Sequence, residues 1–309
     1  MHNPTVFVIP MAGESSRFRK AGFDQPKYML PAFGKTVFDL AIGGFSDHFK
    51  TSRFIFITNN SPEAVAFVQA HVAALGLTAF ECVQMQRRTK GQAETVALGL
   101  QACGIAGATP ITIFNIDSFR LNFALPPADI QAADGYLEVF KGAGDHWSFA
   151  KTEHAHSTKV IETAEKVRIS DLCSNGLYHF SRAADFLAAY AAEQALSLAQ
   201  QPAEFYIAPL YNRLIATGQD IRAHLIANAD TAFCGIPTEY RDYLLSGAQA
   251  AFEPNNPLAA LFERGQGQPL EAAQLMEAAT ALSQLGRTDD AAALQVMAEH
   301  TIATAASTP

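Results

Sequence analysis

The chain has 309 residues, 49% of them hydrophobic and 17% charged, with a formal net charge of −8. That length holds one large α/β domain with an appendage or two modest domains, and that composition supplies a sizeable core, which argues against a disordered chain. The acidic balance excludes a general nucleic-acid binder, which needs a basic face, but not small anionic ligands held by a few cations and backbone N–H groups. Cys82, Cys103, Cys173 and Cys234 lie far apart without a CxxC pair and read as reduced thiols of a cytoplasmic protein. The apolar run Val6–Met11 is too short to span a membrane, so no membrane partner is expected.

Thr5–Met11 is a continuous apolar, β-branched run and predicts a strand buried on both faces. Ala12–Pro31, rich in small and charged residues, predicts a loop. Val37–Phe49 carries apolar positions at helical spacing, and Phe54–Thr58 predicts a second buried strand. Pro62–Leu75 predicts a helix with Pro in its first turn, where a missing N–H costs nothing. Ala79–Met85 predicts a strand, Gln92–Cys103 a helix opened by Gly91, and Ile111–Ile116 a buried strand that ends on Asp117. This alternation predicts a doubly wound, Rossmann-like α/β sheet. Ligands of such sheets bind at the carboxyl ends of the strands, where Met11–Lys27 and Asn115–Asp117 fall.

The middle of the chain changes character. Gly135–Phe140, Trp147–Lys151, Val160–Glu165 and Leu177–Phe180 predict shorter strands, which makes the sheet mixed. Helices are expected at Ala183–Leu198 and Phe205–Thr217, and a last strand at Ile221–Ile226. Leu270–Ala306 is Ala-rich with Leu and Met at helical spacing. Within it Ala278–Leu294 reads as one helical hairpin of tetratricopeptide type, a unit that needs neighbours to be stable. It is therefore expected to pack on the main domain or on a second subunit. Glu253–Pro257 (EPNNP) is the linker candidate. The expected division is an α/β domain over 1–250 and a helical C-terminal extension over 251–309.

Four groups of residues carry chemistry. In Met11–Phe18, the residues Ala12, Gly13, Glu14, Ser15 and Ser16 form a loop whose small members let backbone N–H groups approach a phosphate. Arg17 can grip phosphate oxygens with its fork, and Lys27 adds a point charge. Each such charge-assisted bond contributes roughly 1.5–3 kcal/mol. Gly91 precedes a helix whose N-terminus can face a base or a phosphate, although an ordinary helix start has the same look. Asp117 ends a buried strand. Mg²⁺ prefers oxygen ligands and needs one or two carboxylates beside substrate phosphates. Glu165–Lys166 is a charged pair of the kind usually solvated on an edge strand. His154-Ala155-His156 lies in a polar stretch without further ligands and reads as a solvated loop rather than a zinc site.

Ile9–Gly34 (IPMAGESSRFRKAGFDQPKYMLPAFG) resembles the signature of the sugar-phosphate nucleotidyltransferases, AGxGxRF…PKxLxxxxGK, and Gly34–Lys35 continues it. The resemblance implies an enzyme that joins a nucleoside triphosphate to a phosphorylated sugar, with Mg²⁺ on Asp117. It implies that Gln84 or Gln86, of which Gln86 is the chosen candidate, contacts the base together with Gly91. Thr163–Phe180 resembles the family block EK…N-x-G-x-Y-x-F, which implies that Glu165 contacts sugar hydroxyls and Lys166 the sugar phosphate, with Asn175 in the same block. Thr89–Thr95 (TKGQAET) resembles a subgroup from capsular polysaccharide biosynthesis. Ser15 stands where most members have Gly, and so is expected to avoid a strained positive φ. The family's second metal carboxylate falls on Phe233 when Gly235 and Pro237 are aligned, and Asp230 could replace it only if the backbone shifted. That departure keeps an alternative open, a non-catalytic protein that binds nucleotide or sugar phosphate. A nucleotide-sugar-consuming glycosyltransferase would share a related fold but lack the AG…SRF…PK loop. A homo-oligomer is expected on general grounds.

Overall fold

The computed structural model describes residues 5–197, 201–250 and 271–306, with the backbone alone for 246–250. The linker candidate Glu253–Pro257 lies outside the described residues. In chain order the elements are β1 (Val6–Met11), α1 (Ser16–Lys20), β2 (Pro31–Ala32), β3 (Lys35–Thr36), α2 (Val37–Gly43), β4 (Arg53–Thr58), α3 (Pro62–Leu75) and β5 (Phe80–Gln84). Then come α4 (Gln92–Ala102), β6 (Ile111–Phe114), β7 (Ser118–Arg120), α5 (Ala128–Gln131), β8 (Gly135–Lys141), β9 (Ser148–Thr152), β10 (Val160–Glu165) and β11 (Leu172–Phe180). The rest are α6 (Ala183–Gln194), α7 (Tyr211–Ala216), β12 (Ile221–Leu225), β13 (Thr231–Phe233), α8 (Pro237–Ala250), α9 (Ala272–Gln284) and α10 (Thr288–Ala306). Residue contacts divide the chain into two compact units. One comprises Met1–Gly13, Gly43–Ile116 and Arg120–Thr231; the other comprises Glu14–Ile42, Asp117–Phe119 and Ala232–Pro309.

The first unit is built on a nine-stranded mixed sheet with the path β10-β9-β11-β6-β1-β4-β5, to which β8 is added beside β11 and β12 beside β8. β1 pairs in parallel with both β4 and β6, and β4 with β5. β1, β4 and β6 are buried on both faces, which is why they read as apolar runs, whereas β5 is half-buried. Phe7 packs on Phe45 and Phe54, with ring centroids 5.0 and 4.7 Å apart. On β1, the chain moves outward to β4 and β5, and then α4 carries it back to β6 on the other side. That reversal puts the topological switch point between β1 and β6, and Ala12–Gly13 and Asn115–Ile116 emerge there. β11 runs antiparallel to β6 and β8, which makes the sheet mixed, as the sequence predicts.

The second unit contains α1, the short β2–β3 hairpin, α8, and the α9–α10 hairpin. An aromatic cluster joins its segments: Phe18 lies 5.7 Å from Phe23 and 6.0 Å from Tyr240, and Phe119 lies 4.7 Å from Tyr243. Leu275, Ala278, Ala279 and Leu282 of α9 and Ala291, Leu294 and Ala298 of α10 are buried. The turn between these two helices is at Leu285–Arg287, where Gly286 takes a φ of 76°.

Several boundaries differ from the sequence reading. The segment Ala12–Pro31 is not all loop: it contains α1 and a single 3-10 turn at Lys27–Met29. The helix expected over Val37–Phe49 stops at Gly43, and the one expected from Phe205 begins as a 3-10 turn at Ala208. Pro209 and Gly43–Gly44 account for these breaks, because Pro cannot donate within a helix and Gly weakens one.

Candidate functional site

In the second unit, Ser15 has φ 51° and ψ 36°, the left-handed region. This corrects the expectation that a serine here avoids a positive φ. The conformation is supported locally: Ser15 Oγ accepts the backbone N–H of Lys27 at 3.0 Å, and its carbonyl accepts the N–H of Arg19 at 3.1 Å. The serine side chain thus ties the start of the loop to its end, which a glycine could not do. Arg17 and Ser16 are exposed on α1, and the Glu14 carbonyl accepts the guanidinium of Arg19 at 3.2 Å. Gly13, the last residue of the first unit before this loop, is also exposed.

Lys27 Nζ donates to Asp117 Oδ2, although the two residues are 90 positions apart in sequence. Their side chains retain 23% and 20% exposure, so the pair stays open to solvent and to a ligand. The backbone holds Asp117 from the other side, since its carbonyl accepts the N–H of Cys234 at 2.8 Å. Burial, and then the carboxylates of Glu239 and Asp117, push the Cys234 thiol well up. That thiol is therefore neutral at ordinary pH.

Phe233 carries no carboxylate, so the departure from the family pattern stands. The structure brings Glu239, in the first turn of α8, into its neighbourhood instead. Glu239 Oε2 accepts the N–H groups of Gly235 at 2.8 Å and Ile236 at 3.2 Å. A Cβ on Gly235 would stand 2.9 Å from Asp117 Oδ2 and 3.3 Å from Glu239 Oε2. Two carboxylates thus converge on one glycine. Sequence reasoning missed Glu239, yet a signal was present: Pro237 followed by an acid two residues on is a helix start. The backbone carbonyl of Asp230 accepts the N–H of Leu121 at 2.8 Å within the first unit.

In the first unit, Asn115 leaves the end of β6 and is fixed on both sides. Its N–H donates to the Gly176 carbonyl at 3.1 Å, and its Oδ1 accepts Gln92 Nε2 at 2.5 Å. Gly91 is the N-cap of α4 with φ 118°, and a Cβ there would stand 2.6 Å from the Phe205 backbone. Close packing of two backbones is thus enough to require Gly91. The loop before it is pinned by Glu94, which accepts from Arg87 at 2.6 Å and from the N–H of Lys90. Gln86 is exposed, with one weak bond at 3.4 Å to the Gln84 carbonyl.

Glu165 and Lys166 come together at the end of β10. Lys166 Nζ lies 3.5 Å from Glu165 Oε1 and donates to Tyr206 Oη at 2.6 Å. Desolvation lowers the Lys166 pKa, but Tyr206 and Glu165 outweigh it and the net direction is upward. Ser148 donates to the other Glu165 oxygen. Glu165 and Lys166 border a cavity of about 620 Å³ with Glu193, Glu204, Phe205 and Tyr206 on its other walls. Asn175 is different: it is 1% exposed, and its amide is spent on Glu138 at 2.8 Å and on the N–H of Leu177 at 3.0 Å. The structure does not bring it to the cavity. His154 and His156 are exposed, as the sequence predicts.

No protein-family model matches the chain, and no curated protein does. Solved structures do. The chain is 52% identical to a nucleoside-diphosphate-sugar pyrophosphorylase from Vibrio cholerae RC9, a likeness that covers 77% of this chain and 99% of that one, with a TM-score of 0.73. A UTP-bound UGPase from Acinetobacter baumannii matches at 14% identity over 84% of this chain and 98% of its own, with a TM-score of 0.59. The inositol-1-phosphate CTP transferase from T. maritima matches at 13% over 77% and 91%, with a TM-score of 0.57. These last two share the fold. The glycine- and serine-containing loop after β1, the Lys27–Asp117 pair and the extensive identity to the Vibrio cholerae protein converge: the chain belongs to the nucleoside-diphosphate-sugar pyrophosphorylase family of sugar-phosphate nucleotidyltransferases.

Proposed function

We propose that the chain transfers a nucleotidyl group from a nucleoside triphosphate to a sugar 1-phosphate or related phosphorylated acceptor, releasing pyrophosphate. The observation that carries this reading is the pairing of Lys27 with Asp117, which sets the cation of the phosphate loop against a carboxylate suited to a metal. Arg17 and Lys27, with the N–H groups of Ala12–Ser16, hold the triphosphate. Lys166 holds the acceptor phosphate and Glu165 its hydroxyls. The chain's family name describes the same chemistry in its relative.

The acceptor phosphate is ionised near neutral pH, since its second pKa is about 6. Its oxygen attacks the α-phosphorus in line, the new P–O bond forms as the α–β anhydride bond breaks, and the electron pair leaves with pyrophosphate. No general base is needed, so catalysis rests on positioning and charge neutralisation. Lys166, whose net pKa direction is upward, stays cationic through this pH range.

The residues fit Mg²⁺. Asp117 and Glu239 are hard oxygen donors that both lie against Gly235, so closely that a Cβ there would crowd them, and one or two carboxylates are what this ion takes beside phosphates. Asp117 would hold it, with Glu239 as a second carboxylate; when bound, Mg²⁺ would neutralise charge on the triphosphate. In this reading Glu239 of α8 takes the part of the carboxylate missing at Phe233, whose absence motivated a non-catalytic alternative. A place in polysaccharide biosynthesis, a cytoplasmic site and a homo-oligomer belong to the same proposal. Among the described residues no helix is long and apolar enough to cross a membrane.

A screen of the four nucleoside triphosphates against a panel of sugar phosphates, read by labelled pyrophosphate exchange, tests the reading. Exchange with one pair supports it; no exchange with any pair, from protein that is folded and supplied with Mg²⁺, counts decisively against it.

A further inference from the structure

The turn that follows the Lys27 segment is held in an unfavourable conformation by the C-terminal helices. Phe33 and Gly34 join β2 to β3, and both have positive φ, 55° and 72°. A two-residue hairpin turn of this kind favours Asn or Gly at its first position. Phenylalanine pays a steric cost there, because its Cβ crowds the backbone. What offsets that cost is on α10. The carboxylate of Asp290 accepts the Phe33 N–H with both oxygens, at 3.1 and 3.2 Å. Asp290 is 1% exposed. Arg287 donates to Asp290 at 2.6 Å and lies over the Phe33 ring, 4.0 Å from its centroid. The ring also meets Tyr243 edge-on at 5.1 Å.

The same group of elements reaches the loop on both sides of Lys27. Before it, a Cβ added at Gly22 would meet His300 and Val296 of α10 at 3.4 and 3.5 Å. After it, Tyr240 of α8 donates to the Pro31 carbonyl at 2.5 Å. Between these anchors the chain is continuous in hydrogen bonds: Met29 N–H to Pro26, Leu30 N–H to Lys27 and Val37 N–H to Leu30, at 2.9, 3.2 and 2.9 Å. A shift at Phe33 is therefore passed to Lys27 through a single 3-10 turn.

We infer that Asp290 and Arg287 are positioning residues for the phosphate loop, so that the α9–α10 hairpin is a working part of the triphosphate site rather than an appendage. The inference rests on the proposed role of Lys27 in triphosphate binding. It assigns the hairpin no contact with substrate: Asp290 acts on Phe33, and Phe33 acts on Lys27.

The test uses the full-length chain and tripolyphosphate with Mg²⁺, a probe that does not depend on the base. Titration calorimetry measures its affinity in the unmodified protein, in Asp290→Asn and in the milder Arg287→Lys, and hydrogen exchange follows the amides of 27–33. The expected result is weaker binding by roughly tenfold or more in Asp290→Asn, since a displacement of about an ångström at a binding group can cost up to 100-fold. Faster exchange at 28–33 accompanies it, and the KM for the acceptor stays unchanged. Adding Phe33→Gly to Asp290→Asn restores part of the affinity, because glycine takes the left-handed conformation without support. A merely structural role for the hairpin predicts no such rescue, since glycine deletes the ring that packs against it. Unchanged affinity in folded Asp290→Asn and Arg287→Lys overturns the inference while leaving the proposed function standing. If Asp290→Asn does not fold, Arg287→Lys and its Phe33→Gly partner decide by the same criteria. Failure of the unmodified chain to bind tripolyphosphate overturns both the inference and the reading beneath it.

Discussion

Replacing Gly235 by alanine separates site geometry from stability. Gly235 is not among the residues with positive φ, so alanine fits its backbone. A Gly→Ala change at a compatible position stabilises by about 0.4–1 kcal/mol through the unfolded chain. The new Cβ, however, would stand 2.9 Å from Asp117 Oδ2 and 3.3 Å from Glu239 Oε2, whereas ordinary contact begins at 3.4 Å. The Asp117 carboxylate, tied to Lys27, must retreat by roughly half an ångström, with a smaller adjustment at Glu239. A misplacement of about 1 Å costs up to 100-fold in rate, so half of that costs roughly tenfold in kcat/KM, or about 1.4 kcal/mol in the barrier. Steady-state pyrophosphate release measures the loss, and scanning calorimetry on the same preparation measures the Tm. The expected outcome is a tenfold slower enzyme with an unchanged or slightly raised Tm. Full activity would refute the claim that these two carboxylates define the reacting centre. A large fall in Tm would refute it differently, by showing that the glycine serves the fold.

Asp117→Asn keeps the shape of the side chain but removes its charge, and should lower Mg²⁺-dependent turnover by about 100-fold or more; near-unaltered rates would sink its assigned role. Ser15→Gly relieves a left-handed φ worth about 1 kcal/mol but loses the bond to the Lys27 N–H, worth about as much, so urea midpoints should barely move. Ser15→Ala loses the bond and keeps the strain, and should destabilise by about 1 kcal/mol; equal midpoints for the two variants would contradict this account. Desolvation lowers the His179 pKa to about 4, beside Thr112 at 2.9 Å and a stacked Tyr136. The unfolded chain takes up that proton near pH 6.5 and the folded one does not, so stability is fully present above 6.5 and falls by about 3 kcal/mol as pH drops towards 4. Urea unfolding across that range should show a slope that His179→Gln flattens; a flat profile for the unmodified chain would rule the effect out.

The buried strands β1, β4 and β6, the mixed α/β sheet and the ends of α3 and the start of α4 were legible along the chain. Local causes decide them. Unbroken apolar runs make buried parallel strands, Ser61–Pro62 and Gly76 bound α3, and Gly91 opens α4. Lys27 and Asp117 were each legible as candidates because residue type and strand-end position are local properties. Their pairing was not, because it joins segments 90 residues apart. Ser15 shows the same limit in one residue: the sequence says that serine resists a positive φ, and only the fold supplies the Lys27 N–H that rewards it. Asn175 read as a ligand residue because its block carries binding residues, but the ring of neighbours that buries it against Glu138 comes from separate strands. Glu239 and Asp290 look like ordinary acids at helix starts. The tertiary structure alone decides that one lies with Asp117 against Gly235 and the other holds Phe33, because contacts between segments far apart in sequence depend on where the chain returns and not on what flanks each acid.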